Sequence, residues 1–259
     1  MPITKQPEAD VNDLVHLTYR RIRKMIGYLG ISLPIILVVL SLFPFFKTKI
    51  QPSISDYYYT NLREIFTGIL CAVGLFMIRY KGYSNANFFK NDNVLTNIAG
   101  FMAFGVALFP TSVINDHVKT NTLIPYDWAW ISYVHYGCAG ILFITFAILS
   151  INVFTQGQTK ETDLPDSIFN ENNIYKFCGW GIILCIVLIP VSGYLKWFYH
   201  STLVFEALSL LLFGISWLVK GRFMGDKGIV GEKIYNEVNT QNTETILEKK
   251  LEEDSVPLP

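Results

Sequence analysis

Long apolar runs separated by short polar stretches dominate the chain. Six runs stand out, over residues 25–46, 57–78, 94–109, 128–153, 174–191 and 197–219. Each reads as a membrane-crossing helix, because about 20 mostly apolar residues in helical form cover a hydrocarbon core and satisfy their own backbone groups. The third run is short and the fourth long, which predicts tilt or snorkelling at their ends. The start of the second is the least defined, since Arg63 and Glu64 interrupt it. An alternative reading makes residues 55–62 a loop and shortens that helix.

The expected architecture is therefore all-α, a six-transmembrane-helix bundle. It divides into an N-terminal polar segment (1–24), the membrane domain (25–221) and a polar tail (222–259) whose composition predicts partial disorder. Twenty-four residues precede the first run, which is too long for a signal-peptide core and has no small-residue cleavage site after it. Basic residues set the orientation. With both termini cytoplasmic, 16 of the 21 Lys and Arg residues fall on the cytoplasmic side and 5 outside. The cluster Arg20, Arg21, Arg23 and Lys24 just before the first run has the same sense. The expected location is a cell membrane, of the bacterial inner-membrane kind.

Composition sharpens the class. The 259 residues are 51% hydrophobic and 16% charged, with 21 basic and 21 acidic residues. A soluble domain carries roughly a quarter charged residues. Only 20 of the 42 charges lie between residues 25 and 219, too few to coat a water-facing surface. The zero net charge excludes a nucleic-acid partner, which requires a basic surplus. The four cysteines (Cys71, Cys138, Cys178 and Cys185) all lie within the apolar runs, without CxxC or metal-ligand spacing, and read as packing residues. Gly27 and Gly30, and Ala99, Ala103 and Ala107, recur at spacings that let helices approach closely. The bilayer is the expected partner, with self-association left open.

The few polar residues inside the runs carry the candidate chemistry. At about 1.5 Å per residue, Glu64 and His135 lie roughly 10 Å from the outer ends of their runs, Glu206 roughly 13 Å and His200 roughly 5 Å. Tyr199, Thr202, Glu206, Ser209 and Ser216 form one helical stripe, and Thr60, Glu64, Thr67 and Cys71 another. A carboxylate at the bilayer centre costs at least about 2.5–3.5 kcal/mol, so both stripes are expected to face the bundle interior. The expected site is an outward-facing polar cavity lined by Asp56, Tyr59, Arg63, Glu64, Asp116, His117, His135, His200 and Glu206. Plainer readings accompany each: Arg63–Glu64 as a local ion pair, the Tyr57–Tyr59 triplet and Trp128, Trp130 and Trp197 as an interfacial belt, and His135 bonded to a neighbouring backbone group or Tyr. Glu206 is expected to find its partner in Arg63, His135 or His200.

Three functional classes follow. A non-enzymatic bundle would use the cavity, chiefly Asp56, Tyr59, Arg63, His135, His200 and Glu206, to bind a small ligand, lipid or proton. A metal-dependent, membrane-embedded lipid hydrolase would hold zinc with His135, His200 and either Asp116 or His117, leaving Glu206 or Glu64 as catalytic base. A transporter-like component is a further alternative, though the chain lacks inverted repeats and a pair of broken helices. Zinc is thus the open cofactor. Haem between His135 and His200 is disfavoured, because only one such pair exists and its depths differ by roughly 5 Å.

Several runs also carry a resemblance. Ser53-x-Ser55-x-Tyr57-Tyr58-Tyr59-Thr60-x-x-Arg63, Gly68, Tyr80-x-Gly82-Tyr83, Asn97-x-Ala99-Gly100, Ala107-Leu-Phe-Pro110-Thr111 and Phe213-Gly-x-Ser-Trp217-Leu-x-Lys220-Gly221 together resemble a motif set of uncharacterised bacterial six-span membrane proteins. That resemblance covers most of residues 50–221 and implies topology without an activity. A weaker similarity is to the alkaline ceramidase and adiponectin-receptor-like membrane hydrolases. It implies a seven-helix bundle with Ser, Asp and three His around zinc. The chain departs from that pattern, since His200 and Glu206 stand six residues apart and only six runs are present.

Overall fold

The computed structural model describes residues 11–82, 84–112, 122–125, 128–156 and 171–221, and these are helical with short connections. Six α-helices appear among them: α1 (Val11–Ser41), α2 (Arg63–Arg79), α3 (Asp92–Leu108), α4 (Ala129–Ile148), α5 (Glu171–Tyr194) and α6 (Ser201–Lys220). Each packs on its chain neighbours, and α6 returns to α1, so the helices close into a ring in chain order. Side-chain bonds show the alternation of direction. Arg23 near the start of α1 meets Tyr80 beyond the end of α2, and Tyr80 meets Asp92 at the start of α3. Lys220 at the end of α6 bonds the Phe154 carbonyl beyond α4. The ring therefore has an Arg23 end, shared by the start of α1 and the end of α6, and an opposite Glu206 end.

Four helices are long and apolar enough to cross a membrane: Thr18–Ser41, Trp130–Val153, Glu171–Tyr194 and Ser201–Lys220. The helix Asp92–Leu108 is apolar but shorter. The second apolar run is helical only over 17 residues, Arg63–Arg79, and residues 55–59 form a separate 3₁₀ turn. The shorter of the two sequence readings is the observed one. The physical reason is that Tyr57 and Tyr58 bury their rings and that the three tyrosine hydroxyls find hydrogen-bond partners in α1 and at the end of α3, which a continuous helix would not let them reach.

The outer surface explains why a membrane suits this ring. Along α5, Phe177, Trp180, Leu184, Val187 and Val191 recur at helical spacing and are all exposed. Apolar stripes of this extent have no counterpart on water-soluble monomers. Inside, Phe66, Leu70, Val73 and Met77 of α2 pack against a core that includes Leu33, Leu37, Phe146, Phe213 and Trp217. Gly27 and Gly214 mark a close helix contact. A Cβ added at Gly214 would lie 2.7 Å from the Gly27 carbonyl oxygen, so α1 and α6 meet through their backbones. Ala99, Ala103 and Ala107 are fully buried on α3, as their spacing predicts.

Candidate functional site

The site begins with a loop rather than a helix. Residues 51–59 leave α1 and turn into the Glu206 end of the ring, where four groups from distant parts of the chain hold them. The Ile54 N–H donates to Glu206 Oε2 at 2.6 Å. The Leu203 N–H donates to the Pro52 carbonyl at 2.9 Å. His200 Nδ1 lies 3.1 Å from the Gln51 carbonyl oxygen. Ser55 Oγ lies 2.9 Å from His135 Nε2. Leu203 and Glu206 stand one helical turn apart near the start of α6, so a backbone N–H and a side chain clip the same stretch of loop to that helix.

His135 is fully buried, and its other ring nitrogen, Nδ1, lies 2.8 Å from the Phe109 carbonyl oxygen. That carbonyl acceptor makes Nδ1 the protonated nitrogen of a neutral ring, so Nε2 accepts from the Ser55 hydroxyl. Within the loop, Ser53 Oγ donates to Asp56 Oδ2 at 2.7 Å and accepts the Asp56 N–H at 3.1 Å. Burial pushes the Asp56 carboxyl above its ordinary value, against the opposing effect of the Ser53 bonds. Tyr58 and Tyr59 donate their hydroxyls to the carbonyls of Leu108 and Thr111, fixing the loop to the end of α3.

Behind the clip lies a cavity of about 30 Å³, bordered by Ile54, Ser55 and Glu206 and otherwise by apolar groups such as Leu33, Phe66 and Leu210. Its volume suits one or two waters and no larger molecule. Asp56, Tyr59 and Arg63 do not border it; Asp56 and Tyr59 spend their polar atoms inside the loop or on α3.

Glu64 does not face the bundle interior as its stripe predicts. It sits in the first turn of α2 with its side chain 76% exposed, beside Arg63 at 3.5 Å. The buried face of α2 is the apolar row from Phe66 to Met77, so the stripe through Thr60, Glu64, Thr67 and Cys71 does not line the interior. An anion in the first helical turn is favoured by the helix dipole and needs no buried partner. Glu206, by contrast, takes none of the expected basic partners. Its oxygen is held by a backbone N–H, a donor that carries no side-chain signature. Ser55 is the other member that the reading of charges and histidines passed over; it stands in the quoted Ser53-x-Ser55 pair, but only the fold aims it at His135.

No group of three His, Cys, Asp or Glu residues able to hold a metal occurs among the described residues. His135 commits both ring nitrogens to protein partners, which also removes it as a haem ligand with His200. Asp116 and His117 lie outside the described residues.

The fold and site define an all-helical ring, with four helices fit to cross a membrane, whose Glu206 end is closed by an inserted loop. No protein-family model, curated protein or solved structure matches the chain.

Proposed function

We propose that the chain is a six-span membrane protein with both termini cytoplasmic, as in a bacterial inner membrane, and that it binds a proton at Glu206 to control the inserted loop. The single observation that carries the reading is the 2.6 Å bond from the Ile54 N–H to Glu206 Oε2 beside a water-sized cavity. Of the ligand, lipid and proton alternatives, the cavity volume favours the proton, delivered by water. An ionised acceptor makes a hydrogen bond roughly twice as strong as a neutral one. Protonating Glu206 therefore loosens the clip and frees residues 51–56.

The groups facing Glu206 suit that role. Asp56 comes from the loop itself and His135 from the layer behind Ser55. α1, α2 and α3 present only apolar side chains to the cavity, among them Leu33, Phe66 and Val106. Glu206 makes no ion pair with a described residue.

Hydrogen exchange of the full-length protein in lipid nanodiscs tests the reading. After correction for intrinsic exchange, the Ile54 amide is expected to lose about tenfold in protection between about pH 8 and about pH 5. Glu206→Gln should exchange fast at both ends of that range. A wild-type amide insensitive to pH, or a Glu206→Gln protein that keeps the response, overturns it.

A further inference from the structure

We infer that the connection between α2 and α3 is a binding site for an anionic phospholipid. Lys81 and Lys90 hold the head-group phosphate, and Phe88 and Phe89 sit among the first carbons of the acyl chains. The site lies at the Arg23 end of the ring and is independent of the clip at Glu206.

This loop is built inside out. Its polar side chains are spent on its own backbone. Asn85 Oδ1 accepts the Asn87 N–H, and Asn87 Oδ1 accepts the Phe89 N–H, both at 2.9 Å. Asn91 Nδ2 donates to the Asn85 carbonyl at 2.8 Å, and its Oδ1 accepts the Val94 N–H at 3.1 Å. From beyond α4, Gln156 Nε2 donates to the Lys90 carbonyl at 3.2 Å. The product is a 3₁₀ turn, Phe88–Lys90, that holds two phenylalanines outward. They are 50% and 54% exposed, and their rings meet edge to face at 5.3 Å. In water the hydrophobic effect favours the reverse arrangement, with amides out and rings covered. Rings held out by amides turned in suit an apolar surroundings, and such patches mark contact surfaces.

The depth of the loop agrees with lipid. Arg23 Nη2 donates to the Tyr80 hydroxyl oxygen at 2.7 Å, which ties the end of α2 to the basic stretch 20–24. That stretch directly precedes the apolar run of α1. The loop therefore lies where hydrocarbon gives way to head groups, the level at which aromatic and basic side chains anchor a membrane protein.

Charge identifies the kind of lipid. Tyr80 donates to Asp92 Oδ2 at 2.9 Å, and a Cβ added at Gly82 would collide with the Asp92 carboxyl. The segments 80–82 and 90–92 thus lie side by side, which brings Lys81 and Lys90 to the base of one loop. Both are exposed, as is Arg79 at the end of α2. None of the three makes an ion pair with a described residue. The single acid between residues 79 and 93 is Asp92, which is buried and turned to Tyr80. Lysine stems lie along apolar surface while their ammonium groups reach the phosphate layer. A zwitterionic lipid brings its own cation to that layer, so the lysines favour a head group without one.

Native mass spectrometry of the full-length protein in neutral detergent tests the site, with phosphatidylglycerol and phosphatidylcholine of equal chain length as probes. Wild type is expected to bind its first phosphatidylglycerol about 25-fold more tightly than its first phosphatidylcholine, or about fivefold for each lysine. Lys81→Gln with Lys90→Gln should abolish that preference. Lys47→Gln with Lys49→Gln makes the same charge change at the opposite end and should keep it. Phe88→Ser with Phe89→Ser should weaken both lipids and leave their ratio unchanged. All six side chains are exposed, so the variants are expected to elute as wild type does. No preference in wild type, a preference that survives loss of Lys81 and Lys90, or an equal loss on replacing Lys47 and Lys49 overturns the inference. Wild-type binding by the phenylalanine variant overturns the seating of the rings and with it the site as described.

Discussion

Ile54 and Glu206 are 152 positions apart in the chain, yet the N–H of one and the carboxylate of the other meet at 2.6 Å. The bond joins a loop with almost no regular structure to the first turns of the last helix. It gives a half-buried carboxylate the donor that lipid cannot supply, and it gives the loop an anchor that a hydrophobic contact could not orient.

Ile54→Pro isolates this bond. Ile54 has φ −65° and ψ −37°, a backbone that proline adopts without strain at its own position. The variant removes the donor, and Ile54→Ala removes the same buried side chain while keeping the N–H. Ile54→Pro is expected to expose residues 51–56 to exchange as Glu206→Gln does, and the double variant should add nothing. Additive effects in that comparison would show that the two groups act separately.

Ser55 and His135 should be energetically coupled. Ser55→Ala leaves His135 Nε2 buried without its partner, at a cost of about 1–3 kcal/mol. A thermal-unfolding cycle with His135→Phe should give a coupling of about 0.5–3 kcal/mol. Independent effects would mean that the contact contributes nothing to holding the loop.

Asp56 opposes the fold when ionised. Its carboxyl is raised by burial, more than the Ser53 bonds lower it. The folded chain then holds its proton to higher pH than the unfolded chain, so the contribution is full in acid and declines as pH rises through the raised value. Asp56→Asn keeps an acceptor for Ser53 and should raise the melting temperature at neutral pH, with no gain at low pH. An equal gain at both would attribute the effect to something other than charge.

At the other end, Tyr80 should ionise late. Burial first, and then the Asp92 carboxylate, raise its phenol above the ordinary tyrosine range, with Arg23 opposing them. The unfolded chain loses that proton first, so stability falls as pH climbs past the usual value of about 10. Phenolate absorbance should show a late-titrating component after the exposed tyrosines, and Tyr80→Phe should reduce it by one tyrosine. A wild-type curve identical to that of the variant would contradict the buried position.

Glycine substitutions separate contact from open surface. A Cβ at Gly214 collides with Ile31 Cγ1 and lies 2.7 Å from the Gly27 oxygen, so Gly214→Ala must force α1 and α6 apart. Gly68 has nothing within 4 Å of its added Cβ, and alanine there should stabilise α2 by up to about 1 kcal/mol. Unfolding in detergent should move the two in opposite directions.

The sequence by itself determined the class. Apolar runs and scarce charges follow directly from the requirement that a bilayer-facing helix carry its own hydrogen bonds and an oily surface. The interest of Glu206 and His135 was also legible, because an intramembrane polar group must find a partner. What those partners are was decided only by the tertiary structure. A backbone N–H at Ile54 has no side-chain signal, and Ser55 looks like any loop serine until α4 places His135 against it. Glu64 and Glu206 are chemically alike in the sequence. The fold puts one in an exposed first turn beside Arg63 and the other against the inserted loop, because only the start of α2, and not the middle of a continuous helix, coincides with Glu64.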